Sequence, residues 1–399
     1  MLRLTSLVVT AAFASTGFAQ SAEPPARTLP LDAPARALAV DPPSRALALE
    51  LTASARLAGT SGSLQGAKVV ARHLEAAGWR VEFDEHVVLL SLPRKLGFAI
   101  YADSSAKSAT VERVERFDPD AIPAGDVPLF NAWSASAKVR AKVVDTGFGL
   151  RADYERLKAA KVEVRGCIAL AKYGHAYRGV KAQMAEENGC VGVLLYSDSK
   201  SDGGEKGAVW PEGPWKPDWD GQRGSILPVS LAPGDPSTPG FGAPKPGEAN
   251  SQPRANQAEI DAGLPHIPCL PIGVRDARAI TARLALDASG APLGPGPVEV
   301  ALDLEVPREL RTIRNVIATL PGKAKEFVIA GGHRDAWVRG ANDNGSGCVA
   351  LLRVAQLLGA RAAGGWQPER TLRLAFWDAE EFGLIGSTEW GEANADWLR

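Results

Sequence analysis

A histidine and two groups of carboxylates lie close together near the end of this chain. Gly331-Gly332-His333-Arg334-Asp335 is followed by Ala341-Asn342-Asp343-Asn344-Gly345-Ser346-Gly347, and then by Trp377-Asp378-Ala379-Glu380-Glu381-Phe382-Gly383. A neutral imidazole is a good zinc ligand, and a carboxylate oxygen can bridge two ions. Asp335 follows His333 by two residues, where it could orient the imidazole. Adjacent carboxylates such as Glu380 and Glu381 repel each other, and each needs solvation. A metal relieves the conflict if Glu381 binds it while Glu380 acts as general base, taking a proton from a water held by the metal. Alone, each motif has a plainer reading: a structural histidine, or an acidic helix N-terminus favoured by the helix dipole.

Positioning these groups requires strands that end where they begin. The apolar run ending at Ala330 predicts a strand that delivers His333 at its C-terminal edge, where ligands gather in open α/β sheets. Strands are expected at 314–320, 326–329 and 370–377, with helices over 347–358 and from Phe382 onward. Upstream, helices are expected at 44–55 and 63–77, with strands at 81–83 and 87–90. Between about 96 and 307 the texture changes to short β-rich runs, including 142–144, 167–171 and 191–196, with a helix over 181–188. A Gly/Pro/Trp-rich stretch at 202–253 reads as a long loop, either a lid or a solvated surface segment. Strands alternating with helices at both ends predict a mixed or parallel sheet covered on both faces.

The chain has 399 residues, more than one ordinary core requires. Its 45 basic and 46 acidic side chains nearly cancel, which argues against a nucleic-acid binder or a polybasic membrane anchor. The start is a short basic segment followed by an apolar run too short to span a bilayer, then Gly17-Phe18-Ala19. That pattern predicts a leader at 1–19 and export to the periplasm or the extracellular space. Residues 20–43, rich in Ala, Pro and Arg, read as a linker. No later run is apolar enough to span a membrane. Cys167, Cys190, Cys269 and Cys348 form no CxxC pair, so a thiolate zinc knuckle is excluded; buried free thiols are the simplest reading.

Taken together, the two motifs resemble the zinc exopeptidases of the glutamate carboxypeptidase II type, the N-acetylated-alpha-linked acidic dipeptidases. Trp377-Asp378-Ala379-Glu380-Glu381-Phe382-Gly383-Leu384 and Gly386-Ser387-Thr388-Glu389-Trp390 are the most specific segments. Leu57-Ala58-Gly59-Thr60, Ala171-Lys172-Tyr173-Gly174 with Tyr177-Arg178-Gly179, and Gln222-Arg223-Gly224 extend the likeness over most of the chain. The resemblance implies an α/β fold: a zinc-exopeptidase mixed sheet flanked by helices, with an inserted β-rich protease-associated (apical) domain. It implies a first peptidase segment at 44–97, the insert at 98–307 and a second peptidase segment at 308–399. The family's second aspartate ligand, second histidine ligand and helical dimerisation domain have no counterpart in these residues.

The resemblance also implies roles. His333 matches a ligand of one zinc, Asp343 the bridging aspartate, Glu381 a ligand of the second zinc and Glu380 the catalytic base. Two ions are expected about 3.5–4 Å apart. Arg178 matches the arginine that grips the free C-terminal carboxylate of the substrate, a task suited to a guanidinium fork; without the resemblance it reads as an ordinary surface arginine. Ser225 stands where the glutamate-specific members carry an asparagine, so a preference for C-terminal glutamate is not implied. Glu389 and Glu392, with the carbonyls of Thr238 and Phe241, match a calcium site of hard oxygen ligands, although Glu389 and Glu392 also fit a solvated helix face. The expected substrate is a small peptide with a free C-terminal carboxylate. This chain alone is expected to be inactive, and a homodimer is expected only for the full-length protein. An aminopeptidase is the alternative within the class, and Arg178 argues against it. A non-catalytic protein like the transferrin-receptor relatives is the other, and the retention of His333, Asp343 and Glu381 argues against that.

Overall fold

A computed structural model of the chain describes residues 42–121, 127–228 and 230–398. The expected leader and nearly all of the expected linker lie outside these residues. Pro42 and Pro43, read as the end of the linker, instead open the first helix, α1 (Pro42–Leu51). Proline's fixed φ suits a first helical turn. Helix α2 (Ser61–Ala76) starts at Thr60, whose hydroxyl accepts from the Ser63 N–H at 3.4 Å.

Strand β1 (Arg80–Ser91) runs unbroken where the sequence suggests two strands. Polar residues 84–86 interrupt the apolar pattern, but cross-strand partners satisfy them. Asn315 donates to Asp84 at 3.0 Å, and Arg314 pairs with Glu85 at 2.6 Å. Both pairs lie directly opposite each other in the register of the sheet.

Next come β2 (Lys95–Tyr101), β3 (Val111–Arg116), β4 (Asn131–Ala132), β5 (Ala137–Asp145), α3 (Arg151–Ala159) and β6 (Ile168–Lys172). They are followed by α4 (Arg178–Glu187), β7 (Gly192–Tyr196), α5 (Ser199–Asp202), β8 (Gly224–Ser225), α6 (Gln257–Gly263), β9 (Cys269–Ile272), α7 (Val274–Thr281) and β10 (Glu299–Glu305). Seven of these strands form one sheet in the order β3-β2-β10-β5-β6-β7-β9. Strands β5, β6, β7 and β9 are parallel, and helices lie between them in sequence. The stretch at 202–253 is less irregular than its composition suggests, because β8 pairs in parallel with β4.

The chain returns through β11 (Arg308–Leu320), β12 (Ala324–His333), α8 (Gly347–Ala363), β13 (Arg370–Trp377) and α9 (Ile385–Ala393). A second, mixed sheet has the order β1-β11-β13-β12, with β12 parallel to β13. Since side chains alternate along a strand, Val316, Ala318 and Leu320 pack with Leu47, Leu74 and Leu352 from α1, α2 and α8. Ile317 and Ala375 face the other way, toward Trp390 of α9. The architecture is therefore mixed α/β. The four cysteines are free and buried. No helix among the described residues is long and apolar enough to cross a membrane.

Candidate active site

The parallel pairing of β12 with β13 builds the site. It sets His333, the last residue of β12, beside Trp377, the last residue of β13. The strand reaches three residues past the apolar run, because Gly331 admits the neighbouring chain. A Cβ there would meet the Ala375 carbonyl at 2.8 Å and the Trp377 indole nitrogen at 2.9 Å.

After β13 the chain turns sharply. Ala379, fully buried, is held at φ 54°, a conformation uncommon for residues other than glycine. Gly383 at φ 142° and Leu384 at φ 59° continue the turn, so helix α9 begins at Ile385 and not at Phe382. The turn aims the backbone N–H groups of Glu380 and Glu381 at the buried Asp335 carboxylate, at 3.1 and 3.3 Å. Two residues of the inserted segment hold its far side: Trp133 donates its indole N–H to the Phe382 carbonyl at 2.6 Å, and Ser225 donates its hydroxyl at 3.4 Å.

His333, Asp343 and Glu381 converge, with one ligand atom from each lying within 4.8 Å of the others. Imidazole Nδ1 faces the Asp335 carbonyl at 3.1 Å and the Asp335 carboxylate at 3.5 Å. A nitrogen facing a carbonyl must carry the proton, which leaves Nε2 as the nitrogen that could ligate a metal. Nε2 lies 3.0 Å from Asp343 and 3.8 Å from Glu380. Asp343 is 73% exposed, at the open mouth of the group.

Charge at this site is unbalanced. Burial lowers the pKa of His333, but its hydrogen bonds to Asp335 and Asp343 overcome this and push it up to about 12. The hydrogen bond from His333 holds Asp343 below the usual carboxylate range. Burial raises Glu381 to about 8, with Asp335 and Asp343 adding repulsion. Burial raises Glu380 to about 6, although His333 opposes it. Four carboxylates facing one imidazole and one nearby guanidinium match the donor set and charge that a divalent cation would neutralise.

The guanidinium is that of Arg178, the first residue of α4, three residues ahead of the predicted helix start. It is not an ordinary surface arginine. It is half-buried, and its charge lowers the pKa of both Asp343 and Glu380. Its Nη atoms make long contacts to the Ser225 carbonyl at 3.4 Å and Gln222 at 3.5 Å, and the guanidinium lies 5.8 and 5.6 Å from the Tyr173 and Tyr177 ring centres. Its Nε is buried with no partner. Gly224 makes room for it, since a Cβ there would fall 2.1 Å from the guanidinium carbon. Ser225 lies alongside, but its hydroxyl is engaged with Phe382 and accepts from the Leu227 N–H at 3.1 Å.

The other candidate residues gather at helix α9, which carries Glu389 and Glu392. Glu389 is fully buried and accepts from the Asp235 and Ala243 N–H groups, each at 2.7 Å, and from the Thr238 hydroxyl at 3.3 Å. Glu392 accepts from the Gly240 N–H at 3.0 Å. The Thr238 carbonyl accepts from the Phe241 N–H at 3.3 Å.

Sequence reasoning missed the support beneath the site. Arg334, fully buried, pairs with Asp378 at 2.8 Å and donates to the Ser63 and Arg314 carbonyls at 2.6 and 2.9 Å. Arg56, also fully buried, donates to the carbonyls of Arg334, Arg339 and Gly340. Arg334 and Asp378 flank the candidate ligands in sequence, but nothing in that spacing shows that the two pair with each other.

Residues 315–399 match peptidase family M28, and residues 137–217 match the PA domain. The second segment of the chain thus belongs to peptidase family M28, and the inserted segment contains a PA domain. Over 365 residues, 86% of this chain, the sequence is 34% identical to a probable glutamate carboxypeptidase of Arabidopsis thaliana. It is also 34% identical over 288 residues, 66% of the chain, to an aminopeptidase of Mus musculus. The alignments cover 48% and 37% of those proteins, so the chain spans about half the length, or less, of these curated relatives. A solved peptidase M28 precursor from Shewanella amazonensis shares the fold, with a TM-score of 0.54 and 21% identity over 88% of this chain and 67% of that one.

Proposed function

We propose that this chain supplies the N-terminal part of an exported zinc metallopeptidase that removes C-terminal residues from small peptides. The observation that carries the reading is the convergence of His333, Asp343 and Glu381, with Glu380 beside them and outside the ligand set. His333 and Glu381 would each hold one zinc, with Asp343 shared between them. Bound there, zinc supplies a Lewis acid that polarises the scissile carbonyl. Glu380 takes a proton from the attacking water as its oxygen bonds to the carbonyl carbon. When the C–N bond breaks, Glu380 returns that proton to the leaving amine. Asp335 keeps imidazole Nδ1 protonated and fixes the turn that carries Glu380.

Arg178 favours a carboxypeptidase over an aminopeptidase. Its long Nη contacts leave guanidinium donors for a carboxylate. Among the described residues, the carboxylates that gather at the site are those that face the metal position. Ser225, with its hydroxyl engaged, brings no amide to a glutamate side chain, so the reading extends to neutral C-terminal residues.

Three donors are few for two catalytic ions, since such a zinc normally has about three protein ligands. Full activity is therefore proposed for the chain joined to further ligands. Calcium at Glu389 and Glu392, with the carbonyls of Thr238 and Phe241, remains part of the proposal. So do a peptidase domain split into 44–97 and 308–399 around the 98–307 insert, a homodimer of the full-length protein, and export through residues 1–19. The deciding experiment assays the chain, alone and fused to the C-terminal half of a glutamate carboxypeptidase relative. Substrates are a blocked dipeptide with a free carboxylate, its amide, and a dipeptide with a free amine only. Zinc-dependent cleavage of the first alone by the fusion is expected. Cleavage that requires the free amine would replace this reading with the aminopeptidase.

A further inference from the structure

A pocket in the inserted segment is lined by none of the candidate active-site residues. It has a volume of about 380 Å³, the size of small-molecule sites. Two indole rings line it and remain largely in water: Trp210 is 68% exposed and Trp219 is 55% exposed. Large aromatic rings normally bury most of their surface, so two of them exposed in one pocket call for an explanation.

The backbone that carries both rings is held in place. The Trp210 N–H donates to the Trp215 carbonyl at 2.9 Å, and Lys206 lies 4.4 Å from the Trp215 ring centre. The Arg275 N–H donates to the Asp218 carbonyl at 2.9 Å. Gly273 lets that chain approach, since a Cβ there would meet the Asp218 carbonyl at 2.5 Å and the Trp219 backbone at 2.7 Å.

The polar groups around the rings cancel in charge: Glu205 and Asp218 against Lys216 and Arg278. Arg278 lies 3.4 Å from Glu205, and Lys216 pairs with Asp202 at 3.4 Å. Such a rim offers hydrogen-bond donors and acceptors without net attraction for an anion or a cation. The faces of the indole rings are apolar and carry partial negative charge. A ligand matching both features has a flat face of weakly positive C–H groups and an edge of hydroxyls, with no net charge. We infer that this pocket binds a neutral pyranose unit of an oligosaccharide, stacked on Trp210 and Trp219 and held at its hydroxyl edge by the charged rim.

The test uses the whole chain, with cellohexaose, chitohexaose and maltohexaose as probes in isothermal titration. Saturable binding of at least one is expected. Trp219→Ala and Trp210→Ala should each weaken it about tenfold or more, the scale of a lost aromatic contact plus its buried area. Trp219→Phe should lose less than Trp219→Ala. Trp366→Ala, which removes a partly exposed ring elsewhere, should change nothing, and the melting temperature should hold throughout. The inference fails if none of the three sugars binds, or if binding survives both alanine variants. It also fails if Trp210 and Trp219 mediate binding only to indole acetamide or to phosphatidylcholine vesicles, which would assign the pocket to aromatic side chains or to a lipid surface.

Discussion

Glu380 and Glu381 are adjacent and receive backbone support from the same aspartate, yet their surroundings differ. Burial raises both, Glu381 to about 8 and Glu380 to about 6, and Glu380 alone lies 3.8 Å from His333. A base in that range is matched to proton transfer near neutrality. Glu380→Gln in the fusion protein should lower kcat by about 10²–10⁴-fold. Zinc content, read by atomic absorption, should stay unchanged, because Glu380 lies outside the ligand set. Loss of zinc together with activity would make Glu380 a ligand. Arg334 offers a test of support without chemistry. Arg334→Ala leaves Asp378 charged and buried without its cation, which should cost about 3–5 kcal/mol. Asp378 also accepts from the Ser63 hydroxyl at 2.9 Å and from the Arg314 and Ala379 N–H groups at 3.0 and 3.1 Å; urea denaturation would read the cost, and a change near zero would show that these donors hold Asp378 unaided.

Helix α8 carries the chain from β12 to β13, and it packs on the end of α2 through one glycine. A Cβ at Gly359 would lie 1.8 Å from the Ala77 carbonyl. Gly359→Ala should therefore destabilise the fold by about 1–3 kcal/mol, the usual cost of overpacking, although alanine is the better helix former. A stabilised variant in thermal denaturation would show that the two helices separate freely. Strand β1 carries the buried pair Asp84 and His86, 2.8 Å apart, with imidazole Nδ1 also 2.9 Å from the Ala243 carbonyl. Burial opposes the charge on each, but the pairing wins, so His86 is raised and Asp84 is lowered. The His86 contribution is complete below its unfolded value of about 6.5 and is lost as pH rises through the raised folded value. The Asp84 contribution is complete above about 3.9 and is lost as pH falls through the depressed value. Stability from this pair should therefore be greatest between about pH 4 and 6.5. His86→Gln should flatten the alkaline fall in the urea midpoint, and an unchanged profile would place the titration elsewhere.

At the scale of the whole molecule, the site joins two sheets. The strand ends supply the candidate ligands, while the inserted segment supplies Arg178 and, through Trp133 and Ser225, holds the Glu380–Glu381 turn. Arg178→Ala in the fusion should raise KM for the free-carboxylate dipeptide by about ten- to a hundredfold, the worth of a charge-assisted bidentate contact. The amide substrate should be barely affected, and equal losses on both would reduce Arg178 to a structural role. Zinc is expected to raise the melting temperature of the chain, since a ligand that binds only the folded state stabilises it by mass action. A chelator should reverse that rise, and Glu381→Ala should abolish it.

The candidate ligands, their order and the strands beneath them were legible in the sequence, because chemistry and strand periodicity are both local properties. His333, Asp343, Glu380 and Glu381 could be read as one group, since each sits at or just past the end of a strand or the start of a helix. Arg178 could be named only through a family resemblance; by itself it is one more arginine in a basic and acidic surface pattern. What brings it toward Asp343 and Glu380 is the contact of the inserted segment with the turn after β13, through Trp133 and Ser225. The buried Arg334–Asp378 pair, the continuous β1 across a polar stretch and the left-handed Ala379 also required the tertiary structure. Each depends on partners far away in sequence, and no local pattern carries information about which buried charge will meet which.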